Sequence, residues 1–215
     1  MIYQLNLLQK IVIWVIPVIF AITVHEVAHG WVANKLGDPT AKLLGRLTLN
    51  PIKHIDLIGT IIVPTILIFV GGFIFGWAKP VPVDWRNLHH PRRDMGLVAI
   101  AGPLANLLMA LIWLAIMKLG IYLSAQGTTA GAILVFMGQI GIQINLILMV
   151  LNFLPIPPLD GSKVLMSFLS PAAAMSFAKI EPYGFFILLA LLATGILGRV
   201  IGPIIDFLRG LLLGG

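Results

Sequence analysis

Two histidines four residues apart, with a glutamate beside the first, stand in His25-Glu26-Val27-Ala28-His29. On a helix, positions i and i+4 share a face, so both imidazoles can serve one metal ion. Glu26 lies about 100° round the helix from His25. It can reach a water held by that metal without binding the metal itself, which suits a general base that later returns the proton. In a soluble helix the pattern is weak, because two surface histidines and a glutamate satisfy it. Here the surroundings are apolar: between Lys10 and Lys35 these three are the only ionisable residues. Ionisable groups in a lipid-embedded helix are expensive and functional by default.

A catalytic zinc site takes three protein ligands and keeps a fourth position open. Two histidines leave one ligand to find, and the candidates are His54, His89, His90, Asp56, Asp84, Asp94 and Asp160. Most of these lie in basic loops. His89 and His90, beside Arg92 and Arg93, read as a solvated pair, and His54 reads the same way. Asp160 differs, because it follows a long apolar run in Asn152-Phe-Leu-Pro-Ile-Pro-Pro-Leu-Asp160-Gly161. Its plain alternative is an ordinary Asp-Gly turn.

The composition says what must carry these groups. Of 215 residues, 59% are hydrophobic and 10% are charged, against about 25% charged in a soluble domain. So few charges cannot cover a soluble globule of this size. A soluble enzyme, a disordered tail and a nucleic-acid-binding module are all disfavoured, and lipid is the expected solvent. There is no cysteine, which excludes disulfides, thiolate metal sites and cysteine nucleophiles. The net charge of +6 comes from cations in short loops between apolar runs, the pattern that orients membrane proteins. No cleaved signal peptide is expected, because the first apolar run holds the His-Glu-His residues.

Residues 10–35, 57–78, 95–117, 119–159 and 182–198 are the long apolar stretches. They predict an all-α polytopic membrane protein with about 4–6 membrane segments. A single domain is expected over residues 1–215, with a catalytic core at about 8–164 and C-terminal membrane segments at 165–209. Gly37-Asp38-Pro39 stops the first helix. Residues 45–50 (GRLTLN) and 79–84 (KPVPVD) alternate and read as short strands or extended edges in loops.

Loop 34–56 carries Lys35, Lys42, Arg46 and Lys53, and loop 79–94 carries Lys79, Arg86, Arg92 and Arg93. Both are basic, which places both in the cytoplasm. Yet residues 57–78 lie between them, and a single crossing would separate them. That stretch contains Pro64, Gly71, Gly72 and Gly76. Either it dips into the membrane and returns, its broken backbone buried by protein, or it is an ordinary span with one basic loop out of place.

Three motifs taken together, His25-Glu26-x-x-His29, Gly102-Pro103-x-x-Asn106 and Asn152-x-x-Pro155-x-Pro157-Pro158-Leu159-Asp160-Gly161, resemble the site-2 protease family of intramembrane zinc metalloproteases. The resemblance covers about residues 20–164. It implies one Zn2+ per chain held by His25, His29 and Asp160, with Glu26 as the carboxylate that activates the zinc-bound water. Asn152 and Pro158 match positions that shape the family's active site and hold substrate, and Asn152 is the expected oxyanion donor. In Gly102-x-x-x-Asn106, Gly allows close helix approach and Asn offers an amide to a neighbouring loop or to substrate. Residues 57–82 look like a small bacterial or archaeal branch without appended PDZ-like or CBS-like domains.

The implied function is hydrolysis of peptide bonds in membrane-spanning or membrane-associated protein substrates. The implied place is the cell membrane, with the active site toward the cytoplasm and no nucleic acid as partner. The match also favours the dip. Asp160 must end the span 131–153 on the side where the first helix presents its histidines, and only a returning 57–78 allows that. An unwound substrate segment could then pair with an edge at 45–50 or 79–84. Gly138, Gly141, Asn145 and Asn152 fall on roughly one face of that span, which fits a lined cleft. Gly138 and Gly141, with Gln139 and Gln143, read as helix glue. The competing class is a transporter or a non-catalytic metal-binding scaffold, and no internal repeat favours the former.

Overall fold

The computed structural model describes residues 6–70 and 76–214. Helix α1 (Leu7–Lys35) begins at a reciprocal cap, in which Asn6 accepts from the Gln9 N–H and Gln9 accepts from the Asn6 N–H. It ends where Gly37 takes φ of 111°, a left-handed conformation that glycine adopts freely. A Cβ at Gly37 would also lie 2.8 Å from His89 Nε2. The loop before α4 (Pro91–Ala125) therefore packs directly on the end of α1, and the His89 N–H donates to Leu36 O at 2.9 Å. Buried Asp38 ties this corner. Its carboxylate accepts from the Thr40 N–H at 3.1 Å, the Thr40 hydroxyl, the Asn87 amide at 3.0 Å and the Asp84 N–H at 2.8 Å. Thr40 opens the single-turn α2 (Thr40–Leu43).

The described residues of the stretch 57–78 do not form one straight helix. Leu57–Ile62 is a wide π-type turn and α3 (Val63–Val70) follows it. At about 1.5 Å per residue, 57–70 reaches about 21 Å, short of the roughly 30 Å hydrocarbon core. Gly71 and Gly72 lie outside the described residues. By residue 77 the chain is back at its starting level. The Trp77 N–H donates to Gly59 O at 3.0 Å, the Thr60 hydroxyl to Trp77 O at 2.8 Å, and the Lys79 N–H to His54 O at 2.9 Å. These bonds join the two ends of the segment, so the two basic loops meet at one end of the fold.

Helix α4 turns at residues 126–128 into α5 (Thr129–Asn152). The pair packs closely along its length, with Gly138 against Met117 and Gly141 against Trp113, as small residues between membrane helices do. Trp113, Met117, Ile142 and Leu146 are buried in this interface. Among the described residues, α1, α4 and α5 are the three helices long and apolar enough to cross a membrane. The C-terminal part departs from the expected span at 182–198. There α7 (Pro171–Ala178) and α8 (Glu181–Ala193) meet at a 59° bend and make a fourth span if counted together. Gly195, with φ of 71°, then separates α8 from α9 (Ile196–Leu213), which packs on α5 through buried Ile205. The short α6 (Asp160–Phe168) lies between α5 and α7.

Neither 45–50 nor 79–84 forms a strand. Pro80 and Pro82 have no N–H to offer, and the amides of Lys79 and Val81 are taken by His54 O and by Glu26. His54, the last residue of the turn Pro51–His54, is buried rather than solvated, and its Nε2 donates to Thr48 O at 2.9 Å.

Candidate metal centre

Three elements meet at the histidines of α1. Helix α4 crosses at Gly102, where a Cβ would lie 2.4 Å from His29 Nε2 and 2.5 Å from His25 Cε1. Only a residue without a side chain leaves that space to the rings. Helix α6 contributes Asp160 from its first turn.

The hydrogen bonds decide where the ring protons are. Asn145 Nδ2 donates to Gly141 O at 2.8 Å, which leaves Asn145 Oδ1 to accept from Asn106 Nδ2 at 2.9 Å. Asn106 Nδ2 also donates to Ala21 O at 3.1 Å, so Asn106 Oδ1 is the atom facing His25 Nδ1 at 2.7 Å. His29 Nδ1 faces Val98 O at 2.7 Å. Both partners are acceptors, so both Nδ1 atoms carry hydrogen, and the Nε2 atoms of neutral rings present lone pairs.

Those lone pairs converge. The two Nε2 atoms are 3.0 Å apart, and each is 3.2 Å from Asp160 Oδ2. Asp160 Oδ2 is buried and receives no hydrogen bond. Three buried acceptors facing one another repel unless a cation sits among them. Tetrahedral zinc with bonds near 2.0–2.1 Å spaces its N and O ligands about 3.3–3.4 Å apart, close to this triangle. The donor set therefore fits a divalent cation, and among the described residues it is the one group of three or more such ligands brought together. The other carboxylate oxygen, Asp160 Oδ1, faces the Lys163 ammonium at 3.7 Å.

Glu26 is half-buried, and its Oε2 accepts from the Val81 N–H at 2.8 Å. Val81 stands between two prolines, so it is the sole backbone donor of that tripeptide. The remaining sequence candidates lie elsewhere. Asn152 is half-buried and its amide donates to Leu148 O one turn back, at 2.9 Å. Pro158 is exposed and follows Pro157 through a cis peptide. Asn106 is fully buried with both amide ends engaged behind His25. Asn145 does not line a cleft with Asn152, being buried behind Asn106. Asp56 caps the turn Leu57–Ile62. Asp84 pairs with Arg86, whose guanidinium holds the Asp84 carboxyl down at about 2. Asp94 pairs with Arg93 and accepts from the His90 N–H.

Sequence reasoning did not assign Val81, Val98 or Lys163 to the site, and it placed Asn145 on a cleft face rather than behind Asn106. Val98 acts through its carbonyl, which no residue type announces. Val81 had a signal in its flanking prolines.

The sequence pattern of peptidase family M50 matches residues 13–124, just over half of the chain. A Bacillus subtilis (strain 168) protein, YwhC, named as a zinc metalloprotease, is 41% identical over 95% of this chain and 89% of its own length. A Mycolicibacterium smegmatis protein, Rip2, also named as a zinc metalloprotease, is 31% identical over 84% of this chain and 66% of its own length. A Methanocaldococcus jannaschii relative of the same description is 40% identical over 34% of each chain. No solved structure gives a significant match.

Proposed function

The chain belongs to peptidase family M50, the site-2 protease family of zinc metalloproteases, and from this premise we propose that it cleaves membrane-spanning or membrane-associated proteins beside the cytoplasmic face of the cell membrane. The observation that carries the reading is the triangle of proton-free acceptors, His25 Nε2, His29 Nε2 and Asp160 Oδ2, next to an ionisable Glu26. These three residues would hold one zinc ion. Zinc bound there supplies Lewis acidity toward a peptide carbonyl and lowers the pKa of water.

The chain's own residues supply the rest. Asn106 and the Val98 carbonyl hold the two imidazoles in one tautomer and orientation. Glu26 takes the proton of the attacking water and returns it to the leaving amine. The Val81 N–H fixes the rotamer of that carboxylate through Oε2. Asn152 donates to the carbonyl oxygen as charge develops there, after giving up its bond to Leu148 O. Pro158, exposed on the segment leading to Asp160, contacts substrate. The cytoplasmic placement is supported by basic residues on both loops beside the site.

Purified protein and its Glu26→Gln variant distinguish an enzyme from a metal-binding scaffold. Elemental analysis should find about one zinc per chain in both. Cleavage of a membrane-protein substrate should fall about 10²–10⁴-fold in the variant. Equal cleavage by both proteins would remove Glu26 from the chemistry, and zinc-free wild type would remove the metal site.

A further inference from the structure

A groove of about 570 Å³ runs between the first turns of α4 and the far end of α6. Its floor is apolar, built from Leu97, Ile100, Val164 and Phe168, and its rim carries His90, Arg92 and Arg93. Phe168 is 80% exposed and Leu97 44%, so an aromatic ring and an aliphatic side chain stand open directly beside the cations. Gly96 lets α6 come close, since a Cβ there would meet Ser167 Oγ at 2.5 Å. The Arg92 Nε–H donates to Ser167 O at 3.1 Å, and its Nη2 to Leu169 O, which closes the end of the groove. The Arg93 Nε–H pairs with buried Asp94, while the Arg93 side chain stays 64% exposed. Asp94 offsets one of the two arginine charges, so the rim remains positive.

Two facts select the occupant. The groove opens at the first turn of a helix long and apolar enough to cross a membrane, beside the basic loops, and the ends of such helices meet the lipid phosphates. It also joins a cationic rim to an apolar floor, which matches an anionic headgroup continuous with an acyl chain and matches neither a free anion nor an uncharged lipid. We propose that this groove binds one anionic phospholipid, its phosphate at Arg93 and His90 and its acyl chain along Leu97, Ile100 and Phe168. Arg92 serves mainly to hold α6 against α4. The site lies outside the metal centre and does not depend on the hydrolytic reading.

The test is retention of added lipid by the detergent-purified protein, read by native mass spectrometry with phosphatidylglycerol and phosphatidylcholine of the same acyl chains. Wild type should retain phosphatidylglycerol over phosphatidylcholine by about fivefold or more, and Arg93→Gln should reduce that preference about fivefold. Leu97→Trp, which fills the floor and leaves the rim intact, should reduce retention of phosphatidylglycerol on its own. Because Arg93→Gln leaves Asp94 unpaired, its thermal midpoint is read alongside, and Leu97→Trp stands as the independent variant. Equal retention of both lipids by wild type overturns the proposal. So does displacement of bound phosphatidylglycerol by millimolar inorganic phosphate, which would make the site a plain anion site. Wild-type retention in both variants overturns it as well.

Discussion

Gly102 is where the smallest change in the chain should have a large effect. Its missing side chain leaves room for the edges of both imidazoles, and a methyl group would arrive 2.4 Å from His29 Nε2. The rings cannot retreat without breaking the Nδ1 bonds to Asn106 and Val98. Gly102→Ala should therefore lower zinc affinity at least tenfold in chelator competition, with Asp160 and both histidines still present. An unchanged affinity would mean that the rings are free to shift. Asn106→Ala tests the neighbouring requirement. It removes the acceptor that holds the His25 tautomer and should weaken zinc about 10–100-fold. It also orphans the buried Asn145 Oδ1, at about 1–3 kcal/mol of stability. The His-Glu-His motif was readable at this scale because its residues are chemically distinctive and local. The groups that orient it were not, because two of them, the Val98 carbonyl and the Val81 N–H, are backbone.

At the scale of elements, the junction of α1 with the loop before α4 rests on Asp38. Burial pushes its carboxyl up, and the bonds from Asn87, Thr40 and the backbone of Asp84 and Thr40 outweigh that, so it sits below its usual value. A folded value below the unfolded one, near 3.9, means the contribution is complete above about pH 4. It is lost as pH falls through the folded value. Asp38→Asn turns one carboxylate oxygen into an NH2 group, which faces the Asp84 N–H if it takes the Oδ2 position and the Asn87 and Thr40 donors if it takes the Oδ1 position, and should cost about 2 kcal/mol. That is a fall of about 4–8 °C in the thermal midpoint in detergent at pH 7. The difference from wild type should narrow below pH 4, and a constant difference from pH 7 to pH 3 would contradict this account. The positions of α1, α4 and α5 were legible from charge-free runs and the end of α1 from Gly37, although α4 runs past both ends of its charge-free run 95–117, over Arg92, Arg93, Asp94 and Lys118. The split of the C-terminal region into α7, α8 and α9 was not, because its hydropathy is nearly continuous and the breaks depend on the 59° bend and on Gly195.

For the molecule as a whole, the bonds that join the two ends of segment 57–78 set the topology. They leave the C-terminal end of α1, the N-terminal end of α4 and the entry to α6 on one side, with turn 126–128 opposite. The chain has no cysteine, so single replacements can be mapped without background. Lys53→Cys and Arg86→Cys should both react with a membrane-impermeant thiol reagent from the same face, and Gln126→Cys from the other. Labelling of Lys53→Cys and Arg86→Cys from opposite faces would show that 57–78 crosses. The same-side arrangement also explains why two basic loops can flank an apolar stretch without breaking the orientation rule.

Composition and spacing alone determined that this is a multi-pass membrane protein with a metal motif in its first helix. Lipid admits few charges, so those that persist there stand out. They also narrowed the third ligand to seven residues. Only the tertiary structure decided which side chains share one point. That meeting depends on a close helix crossing at Gly102, on an amide pair reaching from α5 through α4 to α1, and on α6 delivering Asp160. Convergence of residues far apart in the chain is a property of packing, and local sequence patterns carry no distance across it.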